Sequence, residues 1–452
     1  MRNTIGLLCG FLLVASFALN RTMGLKLGFA ASATSAAGSG RSYFNHKTPT
    51  PKPTSTPTPT ASPTPTSSST ATATPTPTSS STATATPTPT ASPTPTATTA
   101  SNVYTVPASI PSNCSATVEQ QLMSFFATVP DGSTINFPAN GCYGQDGSLF
   151  LPGRNNLVIN GNGSTFKALT QGTSYRSNWM IQGGSNITLE NMIVRGANPN
   201  AGATMAAYNA ALEWQHGIDF GSVQGGTLDN VQIYDVYGDF VEAQEDSRCT
   251  DCPGDPPNRN IVVRSSHFER NGRVGFGLTD VDGFVLENSY IGNVAWDAVD
   301  IELDYNWEYG RNVQILNNTL GPMRFSLFSN WGVGGSTVGN VTVSGNVENG
   351  PLLTCVAPIQ VLPPAGVYRS GYTIQNNQLL TYGNGFEFTR ADNVSVSGNT
   401  VNFTNGQCGS YVGVALTDSH TVGITNNTFA VPNAIDRVDS LSTNVTVSGN
   451  VL

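Results

Sequence analysis

The sequence predicts an all-β solenoid, and three observations carry that expectation. An alternating apolar pattern recurs from Asn156 onward, its recurrences are mostly 22–31 residues apart, and a second alternating column keeps a constant offset from the first. Alternation of period two marks half-buried strands, and self-similarity at such intervals marks a stack of coils. Composition agrees. Of 452 residues, 38% are hydrophobic and 11% charged, where globular chains average roughly a quarter charged. A coiled coil is excluded on that ground.

The elements follow in chain order. Arg2 precedes a 15-residue apolar run, Ile5–Leu19, and Ala31-Ser32-Ala33 offers a small-residue cleavage site, so residues 1–33 read as an export signal. The run is shorter than the ~20 residues that span a bilayer, which favours cleavage over an uncleaved anchor. Residues 34–46 form a short polar segment. Residues 47–100 are almost wholly Thr, Pro, Ser and Ala, with TPTPTASPTPT and SSSTATATPTPT each occurring twice. Such a segment has nothing to bury and favours an extended, disordered linker, reaching on the order of 165 Å at ~3.1 Å per residue. It is a stalk or a plain spacer. Residues 101–452 are expected to form one β-domain.

Charge is distributed unevenly. Residues 1–100 carry six basic and no acidic side chains, which leaves 14 basic and 29 acidic in the remainder, a formal −15. Nucleic acid, which needs a basic surface, is excluded as a partner. Besides Cys9 in the apolar run, six cysteines remain: Cys114, Cys142, Cys249, Cys252, Cys355 and Cys408. An even count in an exported chain favours disulfides. Among the fifteen connectivities, Cys114–Cys142, Cys249–Cys252 and Cys355–Cys408 are favoured. A zinc site at Cys249-Thr-Asp-Cys252 would need two more ligands.

The first column reads Asn186-ITLENMIV, Gly225-GTLDNVQI, Asn260-IVVRSSHF, Gly283-FVLENSYI, Asn312-VQILNNTL, and so on to Asn444-VTVSGNVL. Its intervals are 39, 35, 23, 29, 28, 31, 22, 28 and 23 residues. The shortest is one bare coil, and longer ones insert loops. Asn191, Asn230, Asn288, Asn317, Asn376 and Asn426 recur at strand ends, where Asn tolerates a left-handed turn and its amide can stack from coil to coil. This column is read as structural. The many sequons of the repeat are by-products unless exported chains are glycosylated.

The pattern resembles the right-handed parallel β-helix proteins of the pectin-lyase-like superfamily, over about residues 101–452. That resemblance implies an all-β, right-handed, single-stranded parallel β-helix of about eleven coils. It also implies a short amphipathic capping helix in Cys114-SATVEQQLMSFFATV, followed by a turn at Asp131-GSTINFP into the first strand. A solenoid needs such a cap. The superfamily hosts polysaccharide-degrading enzymes and non-catalytic proteins, so activity must be read from residues.

The second column reads apolar, X, apolar: Ile218-Asp219-Phe220, Val241-Glu242-Ala243, Phe276-Gly277-Leu278, Val299-Asp300-Ile301, then Ile359-Gln360-Val361, Phe386-Glu387-Phe388 and Val414-Ala415-Leu416. Glu242, Gly277, Asp300 and Ser329 each lie 17 residues after Gly225, Asn260, Gly283 and Asn312, which makes this one sheet. Coils ~4.8 Å apart would then stack Asp219 on Glu242 and set Glu242 and Asp300 on either side of Gly277. Asp300 and Glu302 share a face. Asp239, Glu245, Asp246, Asp280, Asp297 and Asp304 lie nearby in the chain.

Like charges so stacked repel and call for a raised pKa, a cation or a substrate. Paired carboxylates are what glycoside hydrolysis uses. Asp300 is the candidate general acid, with Glu242 or Glu302 as base and Asp219 beside them. Arg273, His216, Trp296, Tyr305 and Trp307 are candidate substrate-binding residues. A neutral polysaccharide suits a −15 domain better than a polyanion. No cofactor is required; calcium, with 6–8 oxygen ligands, could be held by Asp280 and Asp282 together with Asp300 and Glu302. The polygalacturonase-type strings Asn-Thr-Asp, Asp-Asp, Gly-His-Gly and Arg-x-Lys are absent. A calcium-dependent lyase would need a basic residue, for which Arg273 is the one at hand. Three other readings stay open: a non-catalytic carbohydrate-binding, adhesive or structural rod at a cell surface, a calcium site, and a solvated acidic face. The chain is expected to be secreted or surface-bound, and monomeric.

Overall fold

A computed structural model describes residues 102–173, 175–245, 255–332, 337–350, 352–403, 411–430 and 435–452. The predicted signal, polar segment and linker lie outside the described residues, as do Asp246, Cys249, Cys252 and Cys408. The described chain is a right-handed parallel β-helix with a single α-helix, Glu119–Phe126. Parallel register runs from the pair Asn102↔Ser133 to the pair Thr425↔Ser448. One sheet has 11 strands, one per coil, from Leu149–Pro152 to Asp436–Val438; the other 22 strands form the remaining walls. Among the described residues no helix is long and apolar enough to cross a membrane.

Alternation explains the walls. In the 11-stranded sheet Ile218 and Phe220, Val241 and Ala243, Phe276 and Leu278, and Val299 and Ile301 point inward and are fully buried. Rings pack within and between coils: Phe276 meets Phe268 of its own coil at 4.9 Å and Phe284 of the next at 6.1 Å. The capping helix is shorter than the sequence suggests. Asn113–Thr117 is a strand, and the helix begins only at Glu119, with Leu122 and Phe126 buried against the first coils. A disulfide joins Cys114 to Cys142, and Cys355 is also disulfide-bonded.

The asparagines divide into two roles. Asn191, Asn230, Asn288, Asn317, Asn376 and Asn426 all have φ between 49° and 56°, the left-handed region that Asn tolerates. The long amide ladder, however, sits one residue later. Asn318 Nδ2 donates to Asn346 Oδ1 at 3.0 Å, Asn346 to Asn377 at 2.9 Å, and Asn377 to Asn399 at 2.8 Å. Asn399, Asn427 and Asn450 continue it. This accounts for the repeating Asn-Asn and Gly-Asn pairs. The first residue turns the chain, and the second satisfies buried backbone groups that would otherwise be costly.

Glu348 is the unusual member of this wall. It is 5% exposed, accepts from the Leu380 N–H at 2.8 Å, and its Oε1 has no partner. Burial pushes its carboxyl from 4.5 up to about 8. A folded-state pKa raised in this way favours the folded state below the unfolded value and loses that contribution as pH rises from about 4.5 through about 8. Glu348→Gln should therefore raise the thermal midpoint at pH 8, by an amount worth on the order of a few kcal/mol, and have little effect at pH 4. Equal shifts at both pH values would show that the carboxyl is not the cause.

Candidate active site

The 11-stranded sheet brings the second column together in the expected register. Asp219 pairs with Glu242, Glu242 with Gly277, Gly277 with Asp300, and Asp300 with Ser329. The side chains at these positions do not stand in solvent. Asp219 is 0% exposed, Glu242 2% and Asp300 7%. Loop 197–217, inserted by the longest interval, packs over this part of the helix: Gly272 abuts the Ala207 carbonyl and the Asn198 side chain. Asp219 is held by Gln244 Nε2, which donates to Oδ2 at 3.1 Å, and by Gln182 at 3.5 Å. It is a supported carboxylate at one end of the group.

Arg273, on the turn before Phe276–Leu278, is the hub. Its Nη1 lies 2.6 Å from Asp239 Oδ2 and 3.7 Å from Glu242 Oε2, and its Nη2 lies 2.5 Å from Glu302 Oε2. It is 4% exposed. Burial works against its charge, but Asp239, Glu302 and Glu242 together hold it ionised well above its ordinary range. A guanidinium so held does not abstract a proton, and its donors face carboxylates rather than sugar. The expectations of Arg273 as base or as direct sugar ligand are corrected on that physical ground. His216 is likewise buried: its Nδ1 accepts the Asp239 backbone N–H at 3.1 Å and faces Asp239 Oδ2 at 3.5 Å.

The carboxylates are driven apart in pKa. Burial pushes Asp239 well above the usual range against the pull of Arg273. Burial acts on Glu242 in the same direction, but Asp239, His216, Arg273 and the Thr279 hydroxyl, which donates to Oε1 at 2.6 Å, hold it below that range. Asp300 is raised well above it by burial first, then by the charges of Glu302 and Asp297, although Ser329 Oγ donates to its Oδ1 at 2.7 Å. Asp297 is raised to about 6 by burial and accepts from the Ser326 hydroxyl and backbone N–H. One carboxyl raised and one lowered thus flank Gly277, an arrangement suited to acid–base work.

Gly277 is needed there. A Cβ at this position would meet Glu242 Oε2 at 2.1 Å and Asp239 Oδ2 at 2.8 Å. Gly277→Ala should displace both carboxylates and cost ~1–3 kcal/mol, as overpacking does, seen as a lower thermal midpoint. An unchanged midpoint would mean that the two side chains move away freely.

The remaining predicted residues do not gather at one point. Trp296 precedes the Asp300 strand and packs against Tyr208 at 5.5 Å and Phe325 at 5.3 Å. Tyr305 and Trp307 lie past the opposite end of that strand, stacked on each other at 4.6 Å. Asp280 accepts the Tyr309 N–H at 2.9 Å, whereas Asp282 lies on a different sheet, bonded to Arg311 at 2.8 Å and Asn312 at 2.7 Å. The expected calcium set of Asp280 and Asp282 with Asp300 and Glu302 is therefore not assembled. Asp280 lies in the bend that follows Phe276–Leu278, whereas Asp282 is already on the next strand, Val281–Glu287. His216, Asp239 and Glu242 do place ligand atoms within 4.8 Å of one another. Arg273 already supplies the positive charge among them, so the group does not fit a metal ion.

Comparison with known proteins supports the fold. No protein-family model matches the chain, and no curated protein matches it. Among solved structures, the chain is similar to PfbA, a surface adhesin of Streptococcus pneumoniae, at 12% identity and TM-score 0.54, over 77% of this chain and 91% of that one. It is similar to the tailspike protein of E. coli bacteriophage HK620, solved in complex with a pentasaccharide, at 11% identity and TM-score 0.55, over 75% and 64%. A third match is the A-module of the Azotobacter vinelandii mannuronan C-5 epimerase AlgE6, at 14% identity and TM-score 0.51, over 77% and 98%. At such identities the likeness is one of fold alone.

Proposed function

From the pectin-lyase-like parallel β-helix fold, we propose that this is an exported polysaccharide-active protein whose site is the Asp300–Glu242 pair across Gly277. The observation that carries this reading is the split in pKa. Asp300 and Glu242 are buried one coil on either side of Gly277; burial, Glu302 and Asp297 raise the Asp300 carboxyl, while Asp239, His216, Arg273 and Thr279 hold Glu242 below the usual range against its burial. In the proposed reaction Asp300 gives its proton to the glycosidic oxygen while Glu242 takes one from the attacking water. Two coil spacings of ~4.8 Å separate the two backbones by ~9.6 Å, at the upper edge of the ~6.5–9.5 Å between carboxyls used for inversion. Arg273 holds Glu302 by an ion pair at 2.5 Å, and the charge of Glu302 helps raise the Asp300 carboxyl; Arg273 and Glu302 are positioning residues. The −15 charge favours a neutral glycan.

A second reading has its own observation. Asp300, Glu242 and Arg273 are all less than a tenth exposed, which suits a rigid surface rod that binds glycan without cleaving it. The phage tailspike is a pentasaccharide complex on this fold, and PfbA is an adhesin. A panel of neutral and acidic polysaccharides, incubated with the protein with and without calcium, separates the readings. New reducing ends without unsaturated product are expected. Unsaturated product means a lyase. Binding with no new ends leaves the adhesive rod.

A further inference from the structure

Aromatic rings recur on the turn that leads into the 11-stranded sheet, beside the column of carboxylates. Tyr175 lies four residues before the strand Trp179–Gln182, and Trp214 four before Ile218–Gly221. Trp296 lies three before Val299–Ile301, and Phe325 three before Phe328–Asn330. These strands belong to six successive coils in parallel register, so the rings fall on one edge of the sheet over about 24 Å at ~4.8 Å per coil. The two coils between lack an open ring: Tyr237 is 7% exposed, and the equivalent residue of the next coil is Gly272. Loop 197–217 fills that gap. Gly272 leaves room for the Ala207 carbonyl, which a Cβ would meet at 2.7 Å, and the next residue of the loop is Tyr208.

The contacts run without a break. Tyr175 and Trp214 pair as a parallel bridge and stack with ring centroids 5.9 Å apart. Glu213, next to Trp214, accepts the Tyr208 hydroxyl at 2.8 Å. Tyr208 meets Trp296 edge-on at 5.5 Å, and Trp296 meets Phe325 at 5.3 Å. The Arg324 guanidinium closes the row, 4.4 Å from the centroid of Phe325 and 5.8 Å from that of Trp296. Its buried Nη1 has no hydrogen-bond partner. Tyr175 is 46% exposed, and Trp214, Tyr208, Trp296 and Phe325 are half-buried. A packing role alone would bury such rings, as it buries Trp179 and Phe166 completely.

We propose that this row is the binding platform for an extended, neutral, β-linked glucan laid along the helix axis past the Asp300–Glu242 pair. Pyranose rings with equatorial hydroxyls present apolar C–H faces, which aromatic side chains cover while the hydroxyls meet polar groups at the rim; sites of this make-up, aromatic with a few placed polar groups, are the usual form of a small-molecule site. A straight row on a rigid stack of coils suits a ribbon-like chain, whereas a coiling α-linked glucan would leave the line. The two charged members, Arg324 and Glu213, balance each other, which suits a neutral chain. The platform adjoins the carboxylates at two points. Trp214 meets His216 edge-on at 6.2 Å, and His216 accepts the Asp239 N–H; Trp296 is followed directly by Asp297. The inference rests on the polysaccharide reading above and names its substrate class.

Binding rather than cleavage tests it. Full-length protein run in native gels should be retarded by hydroxyethylcellulose, and less by equal amounts of soluble starch or polygalacturonate. Trp214→Ala and Phe325→Ala, in separate parts of the row, should each weaken binding to hydroxyethylcellulose roughly tenfold, about the worth of one aromatic contact. Wild-type protein that hydroxyethylcellulose does not retard, or that starch or polygalacturonate retards more, overturns the proposal, as does unchanged retardation of either variant. If the two variants do not fold, Tyr175→Ala, which removes an exposed ring, decides: weaker binding supports the platform and unchanged binding overturns it. The catalytic assignment fails separately. Retardation lost in Trp214→Ala while Asp300→Asn still cleaves keeps the platform and removes the acid; row variants that bind as the wild type does, with cleavage abolished in Asp300→Asn, do the reverse.

Discussion

Asp300→Asn should abolish polysaccharide cleavage while leaving the fold intact or slightly more stable. The two effects have one cause. Asp300 is 7% exposed, and burial with the charges of Glu302 and Asp297 raises its carboxyl, so in the proposed mechanism the proton that would serve as general acid is also what lets the folded protein tolerate the group. Asn preserves the shape and can keep the contact with the Ser329 hydroxyl, but has no proton to transfer. A positioned acid contributes roughly 10²–10⁴-fold, and a loss of that order is expected in kcat rather than KM. The stability effect has a definite sign. A carboxyl raised in the folded state contributes fully below its unfolded pKa and loses that contribution as pH rises. Asn does not titrate, so Asp300→Asn should gain on the wild type at neutral pH and match it near pH 3. Undiminished cleavage by Asp300→Asn and by Glu242→Gln would remove both residues from the mechanism.

Arg273→Met should be the most destabilising single change in the middle coils. The guanidinium is shared among Asp239, Glu242 and Glu302, the first two of which are at most 2% exposed. Removing one partner of a buried ionic group leaves uncompensated charge and typically costs ~3–5 kcal/mol. The folded-state pKa values of the stranded carboxylates should rise, so the deficit should be greatest at neutral pH and shrink toward pH 4 as they take up protons. Adding Asp239→Asn to Arg273→Met should restore part of the loss, because neighbours in one network do not add. Thermal midpoints across pH 4–8 for the single and double variants test this. A deficit independent of pH would mean that packing of the Arg273 stem, rather than charge, dominates.

Most of the fold was legible because it follows from short-range periodicity. Alternating residues such as Val299 and Ile301 must face inward wherever the strand lies, and the offset of 17 residues between the columns placed Glu242, Gly277 and Asp300 on one sheet. The Asn-Asn and Gly-Asn pairs announced turns, but not which member would carry the ladder. Left-handed asparagines also bond from coil to coil, as Asn230 does to Asn191 at 2.9 Å, but only the next residue turns into the interior, where Asn318, Asn346 and Asn377 are buried and form the long ladder. Asp280 and Asp282 group with Asp300 and Glu302 in the sequence as candidate calcium ligands, but Asp280 lies in a bend and Asp282 on the next strand, bonded to Arg311 and Asn312.

What the sequence by itself determined was the coil, its stacking register and the column of carboxylates, since each rests on a repeated local pattern. The tertiary structure alone decided the chemistry of that column. Arg273 and Asp239 sit on turns of successive coils, 34 residues apart, and the repeat interval does not say which side chains meet at those turns. Only the stacking of successive coils, with loop 197–217 packed over them, brings the guanidinium among three carboxylates. The pKa shifts follow from burial and charge in three dimensions, so acids that the sequence could read either as a catalytic pair or as a solvated face are, once covered, a lowered Glu242 and a raised Asp300.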